Sequence, residues 1–200
     1  VPTDVGIIGF TTDAELAQEE ARKLIEEIDP CAVITTEKIG PGEKGVYHSA
    51  LGTDISAEQA KVDKVVEEAK KRKILTIGIG DIGNEIGFGL IFDVARHIVP
   101  SGIVTTTATD ILLPCATSNW GAYGISAALA VLNKNIDLLH TPRDEHRMIM
   151  ACLNSGAVNG GTGEPTLGVD GIDLDIHMYM VAMLREIVRI GLLPEFSRGF

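Results

Sequence analysis

Apolar and polar positions along the chain alternate between short hydrophobic runs and longer stretches of helical period, the pattern of an α/β domain. VGIIGF (5–10) reads as a first strand. Thr12 and Glu15 form a capping-box pair, and Leu16, Ala17, Ala21, Leu24, Ile25 and Ile28 then share one helical face until Asp29-Pro30 ends it. CAVITTE (31–37) is the second strand and carries Glu37 to its carboxyl end. After a glycine- and proline-bearing loop over 40–54, Ser56 and Gln59 open a helix. Its Val62, Val65, Val66 and Ala69 repeat at i, i+3, i+4 and i+7. KILTIGIG (73–80) is the clearest strand, apolar as a parallel strand covered on both faces must be.

Ile86, Leu90, Ile91, Val94 and Ala95 predict the face of the next helix. GIVTTTA (102–108) and ILLPCAT (111–117) predict two further strands, with Pro114 pointing to an edge or an irregular run. Helices follow over about 121–133, over 142–154 after a Thr141-Pro142 start, and over about 174–190. The last is apolar nearly all round, so it is expected in a core or at a subunit contact, and a homodimer is the expected assembly. No linker or repeat divides the chain. The expectation is therefore a single three-layer α/β domain over 1–200, with a mostly parallel sheet and helices on both faces. In such sheets ligands bind at the carboxyl ends of strands, so the loops after Glu37, Gly80 and Thr117 should meet at one mouth.

Composition narrows the partners. With 17 Lys and Arg against 28 Asp and Glu, the net charge of −11 disfavours nucleic acid and anionic membranes. No apolar run is long enough to span a bilayer and no secretion pattern opens the chain, which gives a cytoplasmic expectation. Cys31, Cys115 and Cys152 are far apart and form no C-x-x-C pair, so each reads as a small buried apolar residue.

The stretch GIGDIGNEIGFG (78–89) carries the main question. Gly78, Gly80 and Gly83 fit the G-x-G-x-x-G spacing of a dinucleotide loop after a strand. Asp81, however, occupies the place of a pyrophosphate, and Asp110 lies too far along to be the ribose-binding acid. Read as D-x-x-N-E, the loop offers Asp81, Asn84 and Glu85 to orient an ammonium group, hold a hard cation such as Mg²⁺ or Mn²⁺, or act as a general base. The plain structural alternative makes Asp81 a turn residue and Glu85 a first-turn helix residue. In SNWGAY (118–123), Ser118 and Asn119 are either helix caps or, with backbone N–H groups, holders of a substrate carboxylate walled by Trp120. The loop GAVNGGTGEPTLGVDG (156–171) is long enough to be functional and carries Glu164 and Asp170. His48 is the histidine nearest a strand-end mouth. No Ser-His-Asp set or Cys-His pair is evident.

Together, TEKIGPGEKGVYHSALGTDIS (36–56), GIGDIGNEIGFG (78–89), SNWGAYGISAAL (118–129) and GAVNGGTGEPTLGVDGI (156–172) resemble the D-glutamate cyclase-like family, in the part that forms the C-terminal region of the longer cyclases. The sequence departs from the expected pattern where Ile82 replaces a glycine and Asn159 an aspartate, and the region before residue 30 looks short. The resemblance implies cyclisation of D-glutamate to 5-oxo-D-proline with loss of water, a hydro-lyase reaction on a small acidic amino acid. It implies that Asp81 and Glu85 bind the amine and move protons, directly or through a divalent cation, with Glu37 as a second acid/base. Gly80, Gly83 and Asn84 would frame the site, Ser118 and Asn119 would bind a carboxylate, and Trp120, His48 and Asp170 would complete the pocket. Two other readings stay open, a nucleotide-dependent enzyme and a non-catalytic binding domain.

Overall fold

The computed structural model describes residues 5–193, and the protein divides into two compact units, one running to Ser118 and the other from Asn119. It is an α/β protein with a three-stranded parallel sheet and six helices, the class expected from the sequence.

The first unit contains α1 (Ala14–Ile28), β1 (Ala32–Thr36), α2 (Asp63–Lys71), β2 (Leu75–Gly80), α3 (Phe92–Ile98) and β3 (Ile111–Pro114). All three strands are parallel in the order β1-β2-β3, with Ala32 opposite Leu75 and Gly80 opposite Pro114. β2 is central and buried from Thr76 to Gly80, which is why its sequence lacks alternation. β3 lies at an edge of this sheet, where Pro114 leaves no inner ladder position unpaired. α2 packs on α1, β1 and β2 around Ala21, Ile25, Val65 and Ala69. A separate cluster joins Phe88, Ala95 and Val104. Asp110 fastens β3 to β2: its Oδ2 accepts from the Thr76 N–H at 2.8 Å and the Thr76 hydroxyl at 2.7 Å.

Several expected elements come out differently. Residues 5–10 form no strand, and Val5 and Ile7 are exposed, because an apolar run without a partner ladder has nothing to pair with. α1 is capped by Asp13, whose side chain accepts from the N–H groups of Glu15 and Leu16, one residue beyond the expected Thr12. α2 begins only at Asp63. Ser56 instead accepts the Tyr47 N–H in a loop. No helix starts at Ile86. That side chain is buried in irregular backbone, and Gly87 has a φ of 117°, which L side chains rarely adopt. The helix starts at Phe92, leaving Leu90, Ile91 and Val94 exposed. Residues 102–108 are extended without being a strand, since their backbone bonds go to Pro41, Gly83 and Gly87. Cys31 and Cys152 are exposed rather than buried.

The second unit holds α4 (Ser118–Leu132, whose first residue belongs to the first unit), α5 (Pro142–Asn154), β4 (Gly168–Val169), β5 (Ile172–Asp173) and α6 (Leu174–Gly191). β4 and β5 form a short antiparallel pair. Thr141 and Asp144 make a complete capping box with Pro142 at the first helical position, so α5 begins where the sequence predicts. The core joins Tyr123, Ala127 and Ala130 of α4 to Val181 and Val188 of α6.

Two stability predictions follow from this packing. A Cβ on Gly78 would lie 2.3 Å from the Ile86 carbonyl oxygen and 2.6 Å from Gly87 Cα, both backbone atoms. Gly78→Ala should therefore lose about 3 kcal/mol in urea unfolding. Gly124→Ala, inside α4 with no neighbour within 4 Å, should gain about 0.5 kcal/mol. A third prediction concerns acid. The Thr76 hydroxyl and N–H hold the Asp110 carboxyl below its usual pKa. Its stabilisation is present above the ordinary carboxylate value and lost as pH falls through the folded pKa. Asp110→Asn should lower thermal stability at neutral pH and flatten its decline in that acid window.

Candidate active site

The site grows from the end of β2. The Glu85 side chain is 1 % exposed and folds back under its own loop. Its Oε2 accepts the Gly83 N–H at 2.9 Å and its Oε1 accepts the Ile82 N–H at 3.3 Å. Gly80 permits this, since a Cβ there would lie 2.7 Å from Glu85 Cβ. Gly83 completes the turn with a φ of 103°.

The loop after β1 is stitched to the same frame. The Ile86 N–H donates to the Lys38 carbonyl at 2.8 Å and the Gly40 N–H to the Asn84 carbonyl at 2.9 Å. Glu37, whose N–H donates to Ile79, turns with a φ of 54°. Carboxylate oxygens of Glu37, Asp81 and Glu85 thereby come within 4.8 Å of one another. At an effective dielectric near ~20, two such charges repel by about 3 kcal/mol, less at exposed Glu37, so the cluster favours a positive partner. The donor set is all hard oxygen and suits a divalent cation.

Asp81 and Asn84 line a cavity of about 370 Å³ together with Ser49, Ser101 and Ile103. Asn84 donates through Nδ2 to the His48 carbonyl at 2.8 Å, while its Oδ1 is buried without a hydrogen-bond partner among the described residues. A second cavity of about 350 Å³ shares Ile103 and is lined by His48, Lys44 and Arg96. The His48 loop is held by Tyr47, whose hydroxyl donates to the fully buried Asp63 at 2.5 Å. Burial, and then that carboxylate, pushes the Tyr47 hydroxyl pKa well up. Sequence reading passed over this clamp, and Tyr47 beside His48 was its one visible sign.

The remaining expected residues have different surroundings. Ser118 belongs to the first unit and is fully buried, with its hydroxyl unpartnered among the described residues. It and Asn119 lie within α4 rather than before it. In the second unit, Asn119 Nδ2 donates to Tyr123 Oη at 3.4 Å, and Trp120 Nε1 donates to His177 Nδ1 at 3.2 Å. Asp170 sits in the β4–β5 turn with a φ of 51°. Neither departure from the family pattern disturbs its loop. Ile82 points its side chain partly outward, and Asn159 Oδ1 accepts the N–H groups of Gly161 and Gly171 at 3.1 and 2.7 Å.

The glycine loop is thus a frame for carboxylates. A pyrophosphate cradle requires a helix opening at the third glycine. Here the chain runs irregularly to a 3-10 turn at Gly89–Ile91 and reaches α3 only at Phe92. Fold and site together define an α/β domain with acidic groups gathered at the carboxyl ends of parallel strands.

Comparison with known proteins gives the family. The family described as D-glutamate cyclase-like, C-terminal, matches residues 4–185, and the chain belongs to that family. It is 30 % identical over 183 residues to a Homo sapiens protein named D-glutamate cyclase, mitochondrial. The match covers 79 % of this chain and spans 29 % of that relative's length. Among the described residues, no helix is long and apolar enough to cross a membrane.

The Glu85 geometry gives a direct prediction. Glu85→Ala removes the acceptor of two backbone N–H groups and should lower the unfolding free energy by about 3 kcal/mol, measured in urea. An unchanged midpoint would mean that the loop holds itself.

Proposed function

We propose that this protein is a D-glutamate cyclase-like hydro-lyase that converts D-glutamate to 5-oxo-D-proline. The observation that carries the reading is the meeting of Glu37, Asp81 and Glu85 within 4.8 Å, with Asp81 also lining a cavity. The reaction needs a neutral amine, an electrophilic γ-carboxyl and a substrate held curled. Asp81, with the buried charge of Glu85 behind it, binds the ammonium and accepts its proton. Glu37 protonates the γ-carboxylate, the amine nitrogen bonds to the γ-carbon and passes its second proton back to Glu37, and the γ-hydroxyl leaves as water with the proton that Asp81 took. Asn84 orients the substrate from the cavity wall. A divalent cation held by the three carboxylates would supply Lewis-acid polarisation of the γ-carboxyl. Ser118 as a carboxylate binder and His48 as a pocket residue, both in the first unit, belong to the same proposal. The name of the human relative supports the substrate class.

A homodimer is also proposed. Its support is the exposed row Ile176, Tyr179, Met183 and Ile187, which falls on one face of α6. A cytoplasmic location completes the reading, whereas the human relative is named as mitochondrial.

The test is incubation of the folded chain with D- or L-glutamate, with and without Mg²⁺ or Mn²⁺, followed by chiral chromatography. Product is expected from D-glutamate. Asp81→Asn and Glu37→Gln should each reduce kcat/KM by roughly 10²-fold or more, the usual worth of a positioned acid or base. Near-parental turnover in these variants and in Glu85→Gln would sink the assignment, and no product under any condition would favour a binding domain.

A further inference from the structure

The second unit contains a cavity that the proposed chemistry leaves unused. It measures about 320 Å³ and is lined by residues from two of the sequence stretches singled out above, Asn119 and Tyr123 from one and Val158 and Gly160 from the other. Its inner wall is largely apolar, with Ile149 and Leu153, and its rim carries the exposed Met148 and Val158. A volume in this range with a few fixed polar groups is the usual form of a small-molecule pocket.

The polar groups are unusual for such a wall. Glu145 is 1 % exposed, and among the described residues it is the only formally charged side chain lining the cavity. Tyr123 Oη donates to its Oε1 at 2.5 Å, and His140 Nε2 lies 2.9 Å from its Oε2. Burial, and then the Glu145 carboxylate, pushes the Tyr123 hydroxyl well above its ordinary pKa, so it remains a donor. These two contacts fix the carboxylate in place but occupy only part of its acceptor capacity, which is about four lone pairs. Among the described residues no Lys or Arg lines the cavity, so an anionic guest would meet a buried like charge. A guest with a short aliphatic body and a cationic N–H head matches both the wall and the acceptor.

We propose that this cavity binds a small aliphatic ammonium compound, with Glu145 as counter-ion and Tyr123 as the group that positions it. The site is independent of the cyclisation proposed above, whose substrate carries two carboxylates and is unsuited to it.

The test uses isopentylamine, isopentanol and isovalerate, which share a tail and differ in the head group. Each is titrated into the whole chain, with methyl NMR of Met148 and Ile149 as the readout. Saturable shifts are expected with the amine, at an affinity at least roughly tenfold above that of the carboxylate, the size of one charge-assisted hydrogen bond. Glu145→Gln should erase that preference. Should this variant fail to fold, Val158→Trp, at an exposed rim position, should close the mouth and abolish the shifts. No shift with any probe, or equal binding of isovalerate and isopentylamine, overturns the proposal. Either result leaves the D-glutamate assay of the other unit unaffected.

Discussion

The carboxylate of Glu85 bonded to the N–H groups of Ile82 and Gly83 is the constraint on which the strand-end site rests. It satisfies backbone donors that would otherwise be stranded where β2 ends, and it does so from inside the loop. The glycines follow from it. Gly80 leaves room for the side chain and Gly83 makes the reversal, while Gly78 lets the returning chain at residues 86–87 lie against β2. A negative charge buried at that point then sets the electrostatics of everything nearby, including Asp81 at the cavity and Glu37 arriving from β1.

Much of this was visible in the amino-acid order, and what was not has physical reasons. The core strand was legible because a central parallel strand has no polar face to break its run. α5 was legible because its capping box and first-turn proline are local signals. Three carboxylates at one mouth could be expected from strand ends alone. What misled was the apolar period after the loop, since the glycine spacing has the same form whether a helix follows or not. Gly87 and the crowded Gly89, whose Cβ would meet Thr106 and Thr107 backbone within 2.5 Å, force irregular chain where the apolar period predicts a helix. The run at 5–10 failed in the opposite way. Its side chains are apolar, but strand formation is a property of two segments, and among the described residues it has no partner.

The long-range clamps leave almost no mark in the sequence. Tyr47 with Asp63, and Tyr123 with Glu145 and His140, join residues separated by 16, 22 and 5 positions across loops. In each, a phenol hydroxyl supplies a buried carboxylate with a short hydrogen bond, which offsets the cost of removing that charge from water. The two units thus use the same local chemistry, in one case to hold a loop and in the other to set a charge at the wall of a cavity.

Glu37 carries a different lesson through its backbone. A left-handed φ of 54° is natural for glycine and costs a glutamate about 1 kcal/mol or more. The chain accepts that cost at the one position where the turn out of β1 meets the other two carboxylates. A glycine would relax the backbone there and remove the carboxylate in the same step, so at this turn robustness of the fold and the charge of the cluster pull in opposite directions.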